Sequence, residues 1–405
     1  MRAHRLAVFG FLAAACSRPA PAQVRPGIEV LLADSLHLVR GKRVGLLTNH
    51  TGIDRAGRRD IDLLTAHGVR LTAVFSPEHG FRGTEDRPDI PDAVDSASGL
   101  PIYSLSAGVP ARALARLDSV EVVVIDLQDI GARYYTYVST AVALARAAAA
   151  RGKPVVVLDR PNPIGGEAVQ GTVRAGAGDP VRDVVGFLPV SMRHGMTLGE
   201  LLRFAADTLR IRADLTIVPA AGWRRDAYYD ATGLPWVRPS PNMPDLESAM
   251  HYPGLCLFEA TNLSVGRGTP FAFQVIGAPW LDSAAVVRRL RAGEGMAGVE
   301  VSVTAFTPRG PTDLKYDGVA LPGIRLRVLD RRRYDPTRTA VALLSALVAV
   351  HPDSFRIGAA RFDQLAAGPE LRQAIQAGRA PHAIWRSWGP SLARFRRARA
   401  KYLLY

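Results

Sequence analysis

A glutamate beside a proline and a histidine carries the strongest chemical signal in the sequence. Glu78 lies in FSPEHGFRG (75–83), where an apolar, strand-like run has just ended. Pro77 and Gly80 restrict the loop, so the carboxyl group is expected to be presented rigidly at a strand end. A carboxyl group on the wall of a cleft can serve as a general acid or base. The alternative is a structural glutamate that caps a helix or pairs with Arg82.

Three aspartates follow other predicted strands and could supply further acid–base groups. Asp126 and Asp129 flank the end of one apolar run, and Asp159 ends the next one. Polar groups at strand ends can contact a ligand, but aspartates also cap loops. Both roles therefore stay open for each of the three.

Arginine, tyrosine and asparagine side chains occur near these carboxylates. Arg133 directly precedes Tyr134 and Tyr135, and an arginine beside aromatic rings suits a ligand with a carboxylate and a ring face. The alternative is that the tyrosines pack a helix start onto the sheet. Asn162 and Asn242 are each flanked by prolines, which suits either fixed hydrogen bonds to a ligand or simple turn formation.

Alternating strands and helices must position these residues. Apolar runs predict strands at 43–49, 71–75, 101–105, 120–127, 154–159 and 214–220. Helical patterns occupy 60–68, 137–152 and 196–209, and Thr197 is the expected cap of the last. This alternation predicts an α/β fold with a mostly parallel sheet covered on both faces. Polar clusters follow four of the strands, at the sheet edge where ligands bind in such folds.

The pattern changes near residue 280. A helix at 284–293, strands at 299–306 and 323–330, and further helices predict a smaller α+β domain over 281–405. The larger domain would span 23–280. It ends in a loop-rich segment, 233–271, whose prolines and glycines argue against long regular elements. Long loops in compact enzymes are usually functional.

Several common kinds of site are missing from the sequence. The first strand is not followed by G-x-G-x-x-G, and there is no P-loop, G-x-S-x-G or H-E-x-x-H motif. Dinucleotide binding, nucleotide hydrolysis, α/β-hydrolase serine chemistry and zinc are therefore disfavoured. We expect no cofactor and no metal. With Cys16 and Cys256 as the only cysteines, an intramolecular disulfide is not expected either.

The N-terminal 22 residues are typical of an export signal. Arg2 and Arg5 precede a short apolar run, which is followed by two competing processing sites. LAAAC would leave a lipidated Cys16, and this lipoprotein interpretation is favoured over cleavage after Ala22. In both cases the protein is expected to be exported, as a periplasmic protein or a membrane-anchored lipoprotein.

The net charge is +14, and part of the basic excess lies near the C-terminus. Six basic residues there have no acidic neighbour: Arg386, Arg394, Arg396, Arg397, Arg399 and Lys401. A solvated helix face is preferred over a polyanion-binding helix. Nucleic acid is not an expected partner of an exported protein, whereas anionic cell-wall polymers are.

A series of motifs resembles one family over residues 28–405. The motifs are LLTNHTG (46–52), FSPEHGFRG (75–83), DLQDIGARYYTY (126–137), LDRPNPIGG (158–166), RHGMT (193–197), SPNMP (240–244), CLFEATNLSVGRGTPF (256–271), GAPW (277–280) and the terminal YLLY. Together they resemble the exo-β-N-acetylmuramidase (NamZ) family, formerly a family of unknown function. Ala260 and Val265 depart from its commonest form, which puts fine substrate preference in doubt more than the reaction.

The resemblance implies a glycoside hydrolase that releases N-acetylmuramic acid from the non-reducing ends of peptidoglycan fragments. It also implies a Rossmann-like, mostly parallel sheet domain that carries the cleft, followed by a smaller α+β domain. Glu78 would be the catalytic group. The residues expected to bind substrate are Asn49, His79, Arg82, Asp126, Asp129, Arg133, Tyr135, Arg160, Asn162, His194, Asn242, Glu259, Asn262 and Arg267.

A second catalytic carboxylate is expected in most glycosidases. Its candidates are Asp126, Asp129, Asp159 and Glu259, and attack by the N-acetyl group of the substrate would need none of them. Retaining, inverting and substrate-assisted mechanisms all remain open.

The muramic acid sugar differs from glucosamine by a lactyl carboxylate, which calls for a cation. Arg133, Arg160 and Arg267 are the candidates because a guanidinium group matches a carboxylate in shape. Arg133 is favoured for its aromatic neighbours. The alternative is that Arg133 pairs with Asp126 or Asp129 beneath the site.

Two other functions are compatible with the sequence. A non-catalytic cell-wall binding protein could keep the cleft and anchor itself through the basic C-terminal helix. An esterase or amidase could use Ser76 with His79, although no oxyanion signature accompanies them.

Overall fold

The structure is a computed structural model that describes residues 23–87 and 89–405. The proposed export signal and Cys16 lie outside the described residues. Within the described ranges, no helix combines the length and the apolar character needed to cross a membrane.

Strands and helices alternate through the first part of the chain. The strands are β1 (Arg43–Thr48), β2 (Arg70–Ser76), β3 (Ala93–Val94), β4 (Pro101–Ser104), β5 (Val122–Asp126), β6 (Val155–Leu158), β7 (Gln170–Val173), β8 (Ser191–Arg193), β9 (Leu215–Val218), β10 (Val275–Gly277), β11 (Val299–Phe306) and β12 (Leu321–Val328). The helices are α1 (Gly27–Asp34), α2 (Asp60–Ala66), α3 (Ala111–Asp118), α4 (Tyr137–Ala149), α5 (Leu198–Thr208), α6 (Leu246–Leu255), α7 (Ser283–Arg291), α8 (Pro336–Val350), α9 (Ala359–Ala366), α10 (Glu370–Gln376), α11 (Pro381–Ser387) and α12 (Gly389–Arg399).

A seven-stranded sheet dominates the described structure, in the order β3-β4-β2-β1-β5-β6-β9. All neighbours pair in parallel except β3, which runs antiparallel to β4 at the edge. From β4 to β9 the order is that of doubly wound, Rossmann-like sheets, whose ligand crevice lies at the carboxyl ends of the strands. Every residue of β5 is buried because both sheet faces are covered. The predicted fold class is confirmed.

A smaller antiparallel sheet, β10-β12-β11, begins the second part of the fold. Its strands β11 and β12 were predicted, but β10 pairs with β12 and precedes residue 281. The small sheet therefore starts ahead of the predicted domain boundary. The rest of this part is helical, as expected, and α8 packs against α6 and α7.

The loop-rich segment contains a ten-residue helix, so the prediction that it lacks long regular elements was wrong. Asp245 caps α6 by accepting a hydrogen bond from the Ser248 amide at 2.8 Å. Gly254 permits close packing, since a Cβ there would lie 2.0 Å from the Pro336 carbonyl oxygen. The proline at 253 is tolerated in the last turn of a helix that is buried against α8.

The predicted cap of α5 is confirmed as a reciprocal capping box between Thr197 and Glu200. The Thr197 hydroxyl also donates to the buried Asp159 carboxylate at 2.6 Å. Asp159 accepts a further bond from the Gly199 amide at 2.9 Å, so it joins the end of β6 to the start of α5.

The basic C-terminal helix is only partly solvated. Arg399 is buried and donates to the carbonyl oxygens of Gly166, Glu167, His194 and Gly195 at 2.6–3.2 Å. Arg396 donates to the Val169 carbonyl at 3.0 Å. The solvated-face prediction was therefore wrong for Arg399, because unpaired backbone carbonyls of the loops beneath α12 need a donor. The other four arginines and lysines of this group are exposed.

The C-terminal tyrosine secures the same region. The Tyr405 hydroxyl donates to Asp159 at 2.8 Å and accepts from the Ala220 amide at 2.9 Å. Its ring packs edge-on against Trp223, with centroids 4.8 Å apart. The end of the chain is thereby fastened to the edge of the large sheet.

We predict that Tyr405→Phe lowers the free energy of unfolding by about 1–3 kcal/mol, because a buried carboxylate and a buried amide each lose a partner. Urea denaturation would measure this. Tyr402→Phe is the matched control: its hydroxyl bonds to Asp207 at an exposed site, so its change should stay within about 0.5 kcal/mol. Equal effects of the two substitutions would contradict the anchoring role of Tyr405.

Candidate active site

A pocket lies beyond the carboxyl ends of β2 and β5, at the sheet edge where the fold predicts a ligand crevice. The first part of the chain lines it with Glu78, His79, Asp86, Tyr134, Tyr135, Thr136, Val185, Ser240, Asn242 and Met243. The second part adds Tyr252, Cys256, Glu259, Arg267, Phe273 and Arg361. Acidic, basic and aromatic side chains from distant segments therefore meet in one place.

The loop after β2 is held by left-handed backbone and by its neighbours. His79 and Gly80 have φ of 69° and 73°, and the Gly80 amide bonds to the Pro77 carbonyl at 3.1 Å. A Cβ at Gly83 would lie 1.7 Å from the imidazole of His50, so glycine is required there. This geometry agrees with the rigid presentation expected of the motif.

Glu78 is half-buried at the tip of this loop. The Thr136 hydroxyl, at the start of α4, donates a hydrogen bond to its Oε2 atom. The other carboxylate oxygen bonds to none of the described residues. The alternative pairing with Arg82 is contradicted, because Arg82 is exposed and reaches Ser96 instead, at 3.4 Å.

An arginine joins the two other carboxylates of the pocket. Arg267 donates to Glu259 Oε1 through Nε at 2.9 Å and Nη2 at 2.5 Å, and to Asp86 Oδ2 through Nη1 at 3.2 Å. Asp86 also accepts from Asn242 at 2.7 Å and from Thr312 at 2.5 Å. Burial alone would lower the pKa of Arg267, but the two carboxylates outweigh burial and raise it. Asp86 was not among the residues predicted to bind substrate, because nothing in the sequence of its loop distinguishes it from the acidic residues nearby.

Tyrosine rings form the apolar wall of the pocket. The Tyr135 hydroxyl is buried and has no hydrogen-bond partner among the described residues. Burial raises the pKa of Tyr135 well above its ordinary value, so the phenol stays protonated and able to donate. Its ring packs 4.6 Å from that of Tyr137 and edge-on at 6.4 Å from that of Tyr252. Asn49 lies beneath the wall and donates to the Tyr137 hydroxyl at 2.9 Å.

Arg133, the favoured candidate for the lactyl carboxylate, does not reach the pocket. Its buried guanidinium donates to the carbonyls of Thr172, Val190 and Leu365 at 2.6, 3.1 and 2.7 Å. These bonds join the β7–β8 hairpin to α9. The prediction of a substrate contact is therefore corrected, and the alternative pairing with Asp126 or Asp129 is also absent.

Arg160 and Asp126 are buried together at the end of β5. Arg160 donates to Asp126 Oδ2 at 2.9 Å and to the Ile53 carbonyl at 2.9 Å. Burial raises the pKa of Asp126, and the guanidinium limits the rise. Both residues were predicted to bind substrate, but the structure gives them a role beneath the cleft.

Four more predicted residues also form internal contacts. Asp129 lies 3.4 Å from His194, and Asn162 donates to the Met196 carbonyl at 2.9 Å. Asn262 donates to the Ser354 carbonyl at 2.8 Å. None of the four lines the pocket, because each serves to satisfy loop backbone or a buried partner. The predicted residues that do line it are Glu78, His79, Tyr135, Asn242, Glu259 and Arg267.

The serine-hydrolase alternative finds no support in the geometry. His79 Nδ1 donates to the Glu85 carbonyl at 2.7 Å and lies 3.6 Å from Asp86. Ser76 is buried at the end of β2, and no hydrogen bond joins it to His79 within the described part of the chain.

Comparisons with known proteins cover nearly the whole chain. The family models described as "Exo-beta-N-acetylmuramidase NamZ, N-terminal" and "C-terminal" match residues 44–247 and 250–405. The peptidoglycan β-N-acetylmuramidase NamZ of Bacillus subtilis is 35% identical over 99% of this chain and 97% of its own length.

Two crystal structures of DUF1343 family proteins from Bacteroides fragilis share the fold. One is 31% identical with a TM-score of 0.84, and the other is 30% identical with a TM-score of 0.75. Each comparison spans 95% of this chain and 99% of the other. Pocket, fold and sequence lead to one assignment: this chain belongs to the exo-β-N-acetylmuramidase NamZ family.

Proposed function

We propose that this protein is an exo-acting glycoside hydrolase that releases N-acetylmuramic acid from the non-reducing ends of peptidoglycan fragments. The observation that carries the proposal is Glu78, held on a rigid loop in a pocket at the carboxyl edge of the sheet. Membership of the NamZ family and the curated activity of its Bacillus subtilis relative support the same reaction.

Glu78 is the best-suited acid among the carboxylates of the pocket. A general acid needs a carboxyl oxygen that is free to meet the glycosidic oxygen, and both carboxylates bound by a guanidinium are already engaged. Asp86 and Glu259 both contact Arg267, whereas Glu78 contacts the hydroxyl of Thr136. Glu78 therefore donates a proton to the glycosidic oxygen as the bond to the anomeric carbon breaks. Water supplies the hydroxyl of the released sugar, and the remaining proton of that water restores the acid form of Glu78, directly or through solvent.

Of the four candidates for a second carboxylate, Glu259 alone lines the pocket. Asp126 and Asp159 are fully buried in their own contacts, and Asp129 is nearly so. Glu259 is held by Arg267, which fixes its position. We assign it to stabilising the positive charge that develops on the sugar ring.

Tyr135 and Asn242 are the proposed polar contacts to the substrate. By the hydrogen-bond geometry, the phenol of Tyr135 has no partner among the described residues, so a ligand oxygen would relieve its desolvation. The rings of Tyr252 and Phe273, 4.7 Å apart, extend the apolar wall against which a sugar face can pack.

Glu78→Gln is expected to lower kcat by about 10²–10⁴-fold, because the amide has no proton to give at neutral pH. Turnover of a chromogenic β-N-acetylmuramide measures it. Glu85→Gln is the control from the same loop: its side chain is 43% exposed and pairs with Arg87, so kcat should not change. A loss below threefold for Glu78→Gln would remove it from the reaction.

Tyr135→Phe is expected to lower kcat/KM about tenfold while leaving the melting temperature unchanged or slightly raised, because its hydroxyl bonds to none of the described residues. Tyr134→Phe is the contrasting variant: its hydroxyl donates to the Pro253 carbonyl at 3.1 Å, so stability should fall. Unchanged kcat/KM for Tyr135→Phe would show that the phenol does not contact the substrate.

We also propose that the protein is exported and anchored through a lipid on Cys16. The proposal rests on the N-terminal sequence alone. Cys16→Ser in the full chain should move the protein from the membrane fraction to the soluble fraction after cell fractionation. Cys256→Ser is the control for thiol loss, because that cysteine is buried in the fold. Membrane association that survives Cys16→Ser would favour cleavage after Ala22.

A further inference from the structure

The carboxylates of the pocket would repel the carboxylate of the substrate unless a further cation lies beside it. N-acetylmuramic acid carries a lactyl carboxylate, and the pocket already contains the carboxylates of Asp86 and Glu259. Like charges within a poorly solvated pocket repel one another strongly. The receptor for the substrate carboxylate must therefore be a cation whose own charge is not already compensated.

Arg267 does not meet this requirement. Two of its nitrogens donate to Glu259, and the third donates to Asp86 and, at 3.2 Å, to Thr312. A guanidinium group has five N–H donors, so Arg267 retains about one. Together with its two carboxylates it has a net negative charge. Its role is to hold Asp86 and Glu259 in place.

Arg361 meets the requirement. It lies in the first turn of α9, lines the same pocket as Glu78, and is exposed to solvent. The one side-chain hydrogen bond that it makes with the described residues runs from Nη1 to the neutral amide oxygen of Gln364 at 2.8 Å, and it forms no ion pair with them. About four of its donors are therefore open to a ligand, in the forked arrangement that suits a carboxylate.

The backbone that carries Arg361 is fixed to the floor of the pocket. The Gly358 amide donates to the Ala260 carbonyl at 2.7 Å, and Ile357 forms a bridge with Thr261. The start of α9 is thereby tied to the segment that carries Glu259. An exposed arginine on such a base can reach a ligand without a movement of the helix.

We infer that Arg361 binds the lactyl carboxylate of the substrate and selects muramic acid over glucosamine. The inference deepens the proposed function and rests on it. It replaces Arg133 and Arg160, which are buried in other contacts, and assigns specificity to a residue outside every motif noted in the sequence.

The test compares Arg361→Gln with the wild-type protein on two chromogenic substrates. One is the β-N-acetylmuramide, and the other is the same sugar with its lactyl carboxylate converted to a neutral methylamide. For the muramide, KM should rise at least about tenfold, which corresponds to the loss of a charge-assisted hydrogen bond. For the methylamide, KM should not change, and kcat should stay within about threefold on both.

Two further variants make the result specific. Arg361→Lys keeps the charge but not the fork, so its KM for the muramide should lie between those of the wild type and Arg361→Gln. Arg397→Gln removes an exposed arginine of the C-terminal helix and should match the wild type. A thermal unfolding curve for each variant detects any loss of folded protein.

Three outcomes would overturn the inference. These are an equal rise in KM on both substrates, no rise on either, and a wild-type protein that does not distinguish the muramide from its methylamide. Failure of the proposed function looks different, because the wild-type protein would then release no sugar from the muramide.

Discussion

The main constraint on this fold comes from backbone carbonyls in the long loops at the sheet edge. The loops themselves leave these carbonyls without partners. Helices and strands satisfy their own carbonyls, whereas the loops here are buried and must find donors elsewhere. Arginine meets the need with up to five N–H groups. Arg133, Arg160 and Arg399 each donate to carbonyls from segments far apart in the chain. Through them, the β7–β8 hairpin, α9 and α12 are joined to the large sheet.

The candidate active-site pocket is held in place by that buried layer. Asp126 and Arg160 lie under the end of β5, and Thr136, the residue directly before α4, holds Glu78. Removing one partner of such a buried pair typically costs about 3–5 kcal/mol, so the layer tolerates little change. Above it, the pocket keeps the Tyr135 phenol and one oxygen of Glu78, neither of which bonds to any of the described residues. The rigid support therefore lies in the buried layer, whereas the groups left free to bind a ligand lie in the pocket above it.

From the sequence, the fold could be predicted, and so could the place of Glu78 in a cleft, but few of the surrounding residues. Apolar strands that alternate with helices directly predict a parallel sheet covered on both faces. A proline close to a glycine predicts a local turn. Arg133 and Arg160 were misassigned because an arginine near aromatic or acidic residues looks the same whether its donors face a ligand or a carbonyl. Asp86 and Arg361 were missed because long-range packing alone brings them to the pocket. The helix at Leu246–Leu255 was missed because burial outweighed the breaking tendency of its proline.

The pocket draws its residues from both halves of the chain, and this has a consequence during synthesis. Glu78 and Asp86 are made early, but Glu259 and Arg267, which complete the ionic cluster, come from the later half. A nascent chain that has emerged only through the large sheet holds an acid without the groups that surround the sugar. Hydrolytic competence therefore arrives as a single late event, and a prematurely terminated chain would be inert toward glycans.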